Sequence, residues 1–282
     1  MIPLGHLHVD LVRMGRFRLD GGAMFGVVPR VLWERVSPPD EKNRIELAMN
    51  GLLIRDGKRT VLVETGMGDR WSPKEREIYA LRNDPGLAAA LEKLQARAES
   101  VDAVILTHLH FDHAGGATCL EASGEAAPAF PNATYFLQKS EWSFARDLNE
   151  RTRASYRKDD FEPLERAGRL QLVEGEMEIF PGVSVVPLPG HTPGLQGVLI
   201  RGGGRSLLYP SDMVPTAAHL PYPYIMGFDV LPLTTLATRK AILPRAAAEG
   251  WILVLGHEVD NPVGTLIEEK GRMRLEPAEA EP

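Results

Sequence analysis

The sequence predicts an α/β fold built as a single domain. Short apolar runs of strand character alternate with helical patterns along the whole chain. Several of these runs end in His, Asp or Gly, the residue types that open ligand-bearing loops at strand ends. With 282 residues, 44% apolar and 25% charged, the chain can bury a large core and has an ordinary globular composition. No linker, repeat or composition shift divides it. Residues 1–276 are therefore expected to form one domain, with 277–282 as a disordered tail.

The elements follow in order. Leu11-Val12 and residues 16–19 read as strand pieces, closed by the turn signal Asp20-Gly21-Gly22. Residues 23–29 are apolar and punctuated by Gly, and read equally as a core edge or as a wall over a pocket. Residues 45–55 run into the turn Asp56-Gly57 and return as 60–66, an antiparallel hairpin. Pro85-Gly86 opens a helix whose Leu87, Leu91, Leu94 and Ala98 share one face. It leads into a buried strand at 101–106. A helix is expected to start at Ala114-Gly115-Gly116, and a small-residue loop to span 121–131. A strand at 133–137 precedes a helix capped by Ser140. The basic run 146–158 reads as a solvated helix face. Strands follow at 170–173, 182–188 and 195–200, and another apolar run ends at Asp212. An amphipathic helix spans 234–249, a buried strand 251–255, and a last hairpin 265–275.

The densest chemistry lies in Thr107-His108-Leu109-His110-Phe111-Asp112-His113-Ala114-Gly115-Gly116. His108 and His110 are two apart, so in extended backbone they project from one face. Asp112 and His113 lie past the strand, where the chain turns, and can point at a second centre. One short segment can thus serve two metal ions. Imidazole with carboxylate and no thiolate suits zinc, and is also compatible with iron or manganese. Three more polar residues stand at the exits of apolar strands: His191 in Pro189-Gly190-His191-Thr192-Pro193-Gly194, Asp212 after Leu207-Leu208-Tyr209-Pro210-Ser211, and His257 after Leu253-Val254-Leu255-Gly256.

Composition narrows the function class. The net charge of −6 argues against nucleic acid as the main partner. No apolar run is long enough to span a bilayer, so no membrane role is expected. The N-terminus shows no charged region followed by an apolar core, and the single Cys119 forbids an internal disulfide. Together these favour the cytoplasm. Cys119 itself reads as a small buried hydrophobe, and the His6/His8 pair, with no following Asp-His, as structural.

The His108–His113 segment resembles the His-x-His-x-Asp-His signature of the metallo-β-lactamase superfamily, and His191, Asp212 and His257 follow in the order of its later motifs. The resemblance covers about residues 45 to 260. It implies a four-layer αβ/βα sandwich, two mixed β-sheets face to face with helices outside and the active site along one edge. It also implies that His108, His110 and His191 form one metal site and Asp112, His113 and His257 a second, with Asp212 bridging. In place of the usual Asp of the family's Asp-Thr-Gly motif, this chain has Glu64, an acceptor able to orient an imidazole from further away.

Two divalent ions, zinc first among them, would hold a bridging hydroxide as nucleophile, with Asp112 and Asp212 as the catalytic carboxylates. Within the family the chain resembles most the N-acyl homoserine lactonase and methyl parathion hydrolase branch. A lactone or related ester is therefore the expected small-molecule substrate. Phosphotriesters, phosphodiesters or thioesters are the alternative, and an iron-bound redox or non-catalytic member is a third reading. The tyrosine that known homoserine lactonases place three residues after the bridging aspartate is Pro215 here, and Tyr222 or Tyr224 is the expected substitute. Met24, Phe25, His219, Tyr222, Tyr224 and Phe228 are expected to line the substrate pocket. The oligomeric state is left open, a homodimer being one option.

Overall fold

The computed structural model describes residues 1–277. Strands β1 (Ile2–Leu4), β2 (Leu7–Asp20), β3 (Arg44–Arg55), β4 (Thr60–Val63) and β5 (Ala103–Ile105) open a first sheet. β6 (Thr118–Leu120) and β7 (Ala126–Pro128) form a separate ribbon, and β8 (Thr134–Gln138) and β9 (Leu170–Val173) complete the first sheet. The second sheet runs in chain order through β10 (Met177–Phe180), β11 (Val183–Pro187), β12 (Gln196–Gly202), β13 (Arg205–Tyr209), β14 (Ile252–Val254), β15 (Val263–Glu269) and β16 (Arg272–Pro277). Both sheets are mixed. β4, β5, β8 and β9 pair in parallel in the first, and β13 and β14 in the second. The helices are α1 (Gly21–Phe25), α2 (Arg30–Trp33), α3 (Pro73–Ile78), α4 (Leu87–Lys93), α5 (Phe111–Ala114), α6 (Lys139–Arg146), α7 (Glu162–Arg166) and α8 (Pro232–Ala248).

The period of two along each strand builds the layers. Val61, Val63 and Ile105 point into a core shared with Val198, Ile200, Leu207 and Val254 of the opposite sheet. Their neighbours Leu62 and Val104 point the other way, against Leu91 of α4 and Trp142 of α6. In the second sheet Leu208 and Leu253 turn outward onto Leu243 and Ala246 of α8. A strand apolar on both faces must be covered on both sides, and the result is helices, sheet, sheet, helix. Among the described residues no helix is long and apolar enough to cross a membrane.

Several sequence expectations are corrected. Asp20-Gly21-Gly22 is a helix start, because the Asp20 carboxylate accepts from the Ala23 N–H and caps α1. The helix near residue 114 ends at Gly115 instead of beginning there. Residues 121–131 contain the return strand of the β6–β7 ribbon. Gln138, not Ser140, is the N-cap of α6. β10 was not foreseen. Beyond α6 the basic run 146–158 forms turns, and the Arg151 and Arg157 guanidiniums bond to carbonyls of Gly227 and Arg70. Cys119 is exposed, since it sits on a two-stranded ribbon outside both large sheets. Pro277 closes β16, and the rest of the expected tail lies outside the described residues.

Candidate metal centre

The site forms where loops leaving β4, β5, β13 and β14 and the loop before β12 meet at one edge of the sandwich. After β5 the backbone bends at Thr107, is extended again at His110, then enters α5, which carries Asp112 and His113. Glycine makes this turn possible: a Cβ on Gly116 would lie 2.3 Å from the Thr65 carbonyl oxygen. Beneath the motif, Gln196 of β12 donates to the Leu106 carbonyl and its own N–H donates to that of Thr107. The two sheets are therefore stapled together directly under the histidines. Glu64 and Ser211, on either side of the site, hold positive φ angles of 69° and 48°. Such outliers cluster where a site dictates the backbone.

Five imidazoles and two carboxylates converge. Asp212 Oδ1 lies 3.4 Å from His113 Nε2 and 3.1 Å from His257 Nε2, while its Oδ2 lies 3.3 Å from His191 Nε2. Asp112 Oδ2 lies 3.7 Å from His113 Nε2 and 3.5 Å from His257 Nε2. His191 Nε2 and His110 Nδ1 face each other at 3.0 Å. Ligand atoms group as His108, His110 and His191, as Asp112, His113 and His257, and as His108, His113 and Asp212. All seven residues are buried or nearly so.

The outer ring nitrogens decide what faces inward. His257 Nδ1 donates to the Ala48 carbonyl at 2.8 Å, and His191 Nδ1 to Asp229 Oδ1 at 2.9 Å. His113 Nδ1 lies 3.2 Å from Glu64 Oε2, and His108 Nδ1 is 3.0 Å from Thr107 Oγ1. An N–H committed outward leaves a lone pair on Nε2 aimed at the centre. Lone pairs 3 Å apart repel unless a cation lies between them. His108 Nε2 is buried without any hydrogen-bond partner, a costly arrangement unless an ion takes it up. The donor set therefore fits divalent metal, with imidazole and carboxylate as for zinc.

Electrostatics divide the histidines in two: burial keeps His108 and His110 neutral, while the carboxylates draw positive charge to His113, His191 and His257. Burial pushes His108 and His110 well below the ordinary histidine value, so both are neutral donors. Burial pulls His113 down too, but the carboxylates of Asp212, Asp112 and Glu64 outweigh it and raise the group. Burial favours protonated Asp212, yet His257, His113 and His191 hold its carboxyl far below the usual range. Asp212 therefore stays ionised at the centre of the cluster.

Over the cluster lies a cavity of about 350 Å³, walled by Leu19, Met24, Met226 and Phe228 and floored by His110, Asp112, His191, Asp212 and His257. Of the six residues expected to bind substrate, Met24 and Phe228 line it. Phe25, His219, Tyr222 and Tyr224 do not. Phe25 and His219 stack 4.6 Å apart, both fully buried behind the wall. Tyr224 meets Phe25 edge-on, and Tyr222 lies beneath the Lys240 ammonium. The tyrosine that does line the cavity is Tyr79, packed on Phe111.

Sequence reading missed the supports. Buried Glu141 accepts from the Leu109 N–H, the Tyr156 hydroxyl and the Thr192 hydroxyl, tying three site loops together. Tyr156 packs on the His110 ring. Arg239, wholly buried on α8, donates to the carbonyls of Met213, His219 and Tyr224. A charged residue at an apolar helical spacing, as Arg239 is, was the one available signal.

A family model described as the Metallo-beta-lactamase superfamily matches residues 46–257. An N-acyl homoserine lactonase, AttM, of Azorhizobium caulinodans is 28% identical over 220 residues, covering 74% of this chain and 78% of the relative. A probable metal-dependent hydrolase from Staphylococcus aureus superimposes with a TM-score of 0.90 at 24% identity, over 99% of this chain and 100% of that one. AidC, a dizinc quorum-quenching lactonase solved with a product, has a TM-score of 0.82 at 20% identity, over 100% and 97%. These two solved structures share the fold.

Proposed function

Because the chain belongs to the metallo-beta-lactamase superfamily and is a metal-dependent hydrolase, we propose that it uses two divalent ions, zinc first, to open a lactone or related carboxylic ester. Asp212 carries this reading, since its two oxygens face opposite halves of the histidine cluster. His108, His110 and His191 would hold one ion, Asp112, His113 and His257 the other, and Asp212 both. When bound, such ions supply a water that ionises near neutral pH and positive charge for the carbonyl oxygen.

The chain's own residues do the rest. The outer partners Thr107, Asp229, Glu64 and the Ala48 carbonyl hold the imidazoles in one orientation. Asp112 and Asp212 border the cavity, so a carboxylate is at hand for the proton that the attacking water loses. Water oxygen joins the carbonyl carbon, the ester C–O bond breaks, and the alkoxide leaves with that proton. No Ser or Cys nucleophile is required. Leu19, Met24, Met226 and Phe228 offer an apolar wall for an acyl arm and keep bulk water out.

The name of the AttM relative supports a lactone as substrate. A panel of N-acyl homoserine lactones, aryl esters, phosphotriesters and a cephalosporin on zinc-replete protein tests the reading. The highest kcat/KM is expected on a lactone. Preference for a phosphotriester would move the chain to the alternative substrate class, and no turnover of any of them would overturn the reading.

A further inference from the structure

Two buried carboxylates stand behind the inner histidines, one in each half of the cluster. Glu64 lies behind His113 at 3.2 Å, and Asp229 behind His191 at 2.9 Å. The other outer nitrogens with a partner, those of His108 and His257, meet neutral acceptors, Thr107 Oγ1 and the Ala48 carbonyl. Asp229 belongs to no motif and comes from the loop that leads into α8.

That loop is built to hold its carboxylate still. The Val230 N–H donates to the His191 carbonyl and the Leu231 N–H to that of Gly190, so the loop is laced directly onto the histidine's own backbone. From outside, Arg151 clasps the same loop, with Nη2 2.6 Å from the Gly227 carbonyl oxygen and Nη1 3.4 Å from that of Asp229. Asp229 is 1% exposed, and its Oδ2 has no hydrogen-bond partner. A buried carboxylate with one oxygen spent on a single imidazole N–H carries a desolvation cost; the charge of buried Arg239 acts on Asp229 without a hydrogen bond between them, so the one direct partner of the carboxylate is His191.

We infer that Asp229 is the positioning residue of the His108–His110–His191 half of the centre, fixing the tautomer and direction of His191 through a hydrogen bond, whereas Glu64 Oε2 faces His113 without one. The inference rests on the proposal that the cluster holds two metal ions. A carboxylate behind a ligating imidazole makes the ring a better donor and prevents its rotation. Removing such partners weakens metal retention by 10- to 100-fold. Asp229 therefore governs how firmly one of the two ions is kept, and does so without touching it.

Zinc-loaded wild type, D229A, D229N and H191A are dialysed against a graded series of a chelator, and zinc per chain is measured by mass spectrometry. Wild type is expected to hold two zinc ions. D229A should release one of them at a 10- to 100-fold lower chelator strength while keeping the other, with D229N intermediate because its amide oxygen still accepts the N–H. In an H191A background the D229A change should add nothing, since its effect runs through that ring. D229A retaining both ions like wild type, or loosening zinc equally with and without His191, would overturn the role of Asp229. A wild-type chain that takes up no metal would instead remove the two-ion reading on which it rests. Circular dichroism on each variant separates loss of metal from loss of fold, and D229N, nearly isosteric, gives the answer if D229A does not fold.

Discussion

Asp212 shows how one side chain can organise a site. Its two oxygens face opposite halves of the histidine cluster, and the surrounding imidazoles keep it ionised despite full burial. Asp212→Ala and His110→Ala are each expected to lower turnover by several orders of magnitude with circular dichroism unchanged, because each removes a donor and no core packing. Near-normal activity in either would contradict the assignment. His219 makes a separate prediction. Burial presses its imidazole from 6.5 to about 4, against the opposing pull of the Met24 carbonyl. The unfolded chain takes up a proton near 6.5 and the folded chain only near 4, so this contribution to stability is full above 6.5 and is lost as pH falls toward 4. In zinc-saturated protein, urea midpoints measured from pH 7 to pH 4 should fall less steeply for H219Q than for wild type. Parallel curves would show that His219 does not titrate there. At this scale the converging histidines and aspartates were legible, because short spacing and strand-end position reveal them. Their supports were not, since Asp229 lies 38 residues from His191 and Glu141 is 32 residues from Leu109. A long-range hydrogen bond leaves no local pattern in the sequence.

Elements matter through where they press on the site. α8 lies far along the chain from the first histidines, yet its first turn touches the His191 loop: a Cβ on Gly190, whose φ is +144°, would lie 2.4 Å from the Thr235 backbone nitrogen. Gly190→Ala should therefore push the loop off α8, at a cost of roughly 1–3 kcal/mol for overpacking with backbone strain in addition. Denaturant unfolding beside zinc content checks this, and unchanged stability would mean the loop has room to move. The longer strands and α8 were readable because their periodicity runs for many residues. The β6–β7 ribbon and α5 are only three or four residues per element, too short for any period to show. α1 was misread because Asp20-Gly21-Gly22 signals a turn and a helix cap equally well. The cavity wall was only half legible for a related reason. Aromatic residues mark apolar surroundings, and Phe25 and His219 found theirs in each other.

The whole molecule is two sheets that share one core and carry separate helical covers. We propose that residues 1–276 fold as one unit, because the core between the sheets draws on both halves of the chain. A single calorimetric transition with matching van't Hoff and measured enthalpies is expected for the metal-free chain, and two resolved transitions would contradict it. The α/β class was legible because apolar strand runs alternate with helical patterns along the chain, while the four-layer arrangement followed from the family resemblance alone. The central claim, that seven donors from distant loops hold two ions, has its most direct test in anomalous diffraction at the zinc edge from crystals of the zinc-loaded protein. Two peaks are predicted about 3.5–4 Å apart, one beside His108, His110 and His191, the other beside Asp112, His113 and His257, with Asp212 reaching both. A single peak, or zinc bound away from these residues, would contradict it.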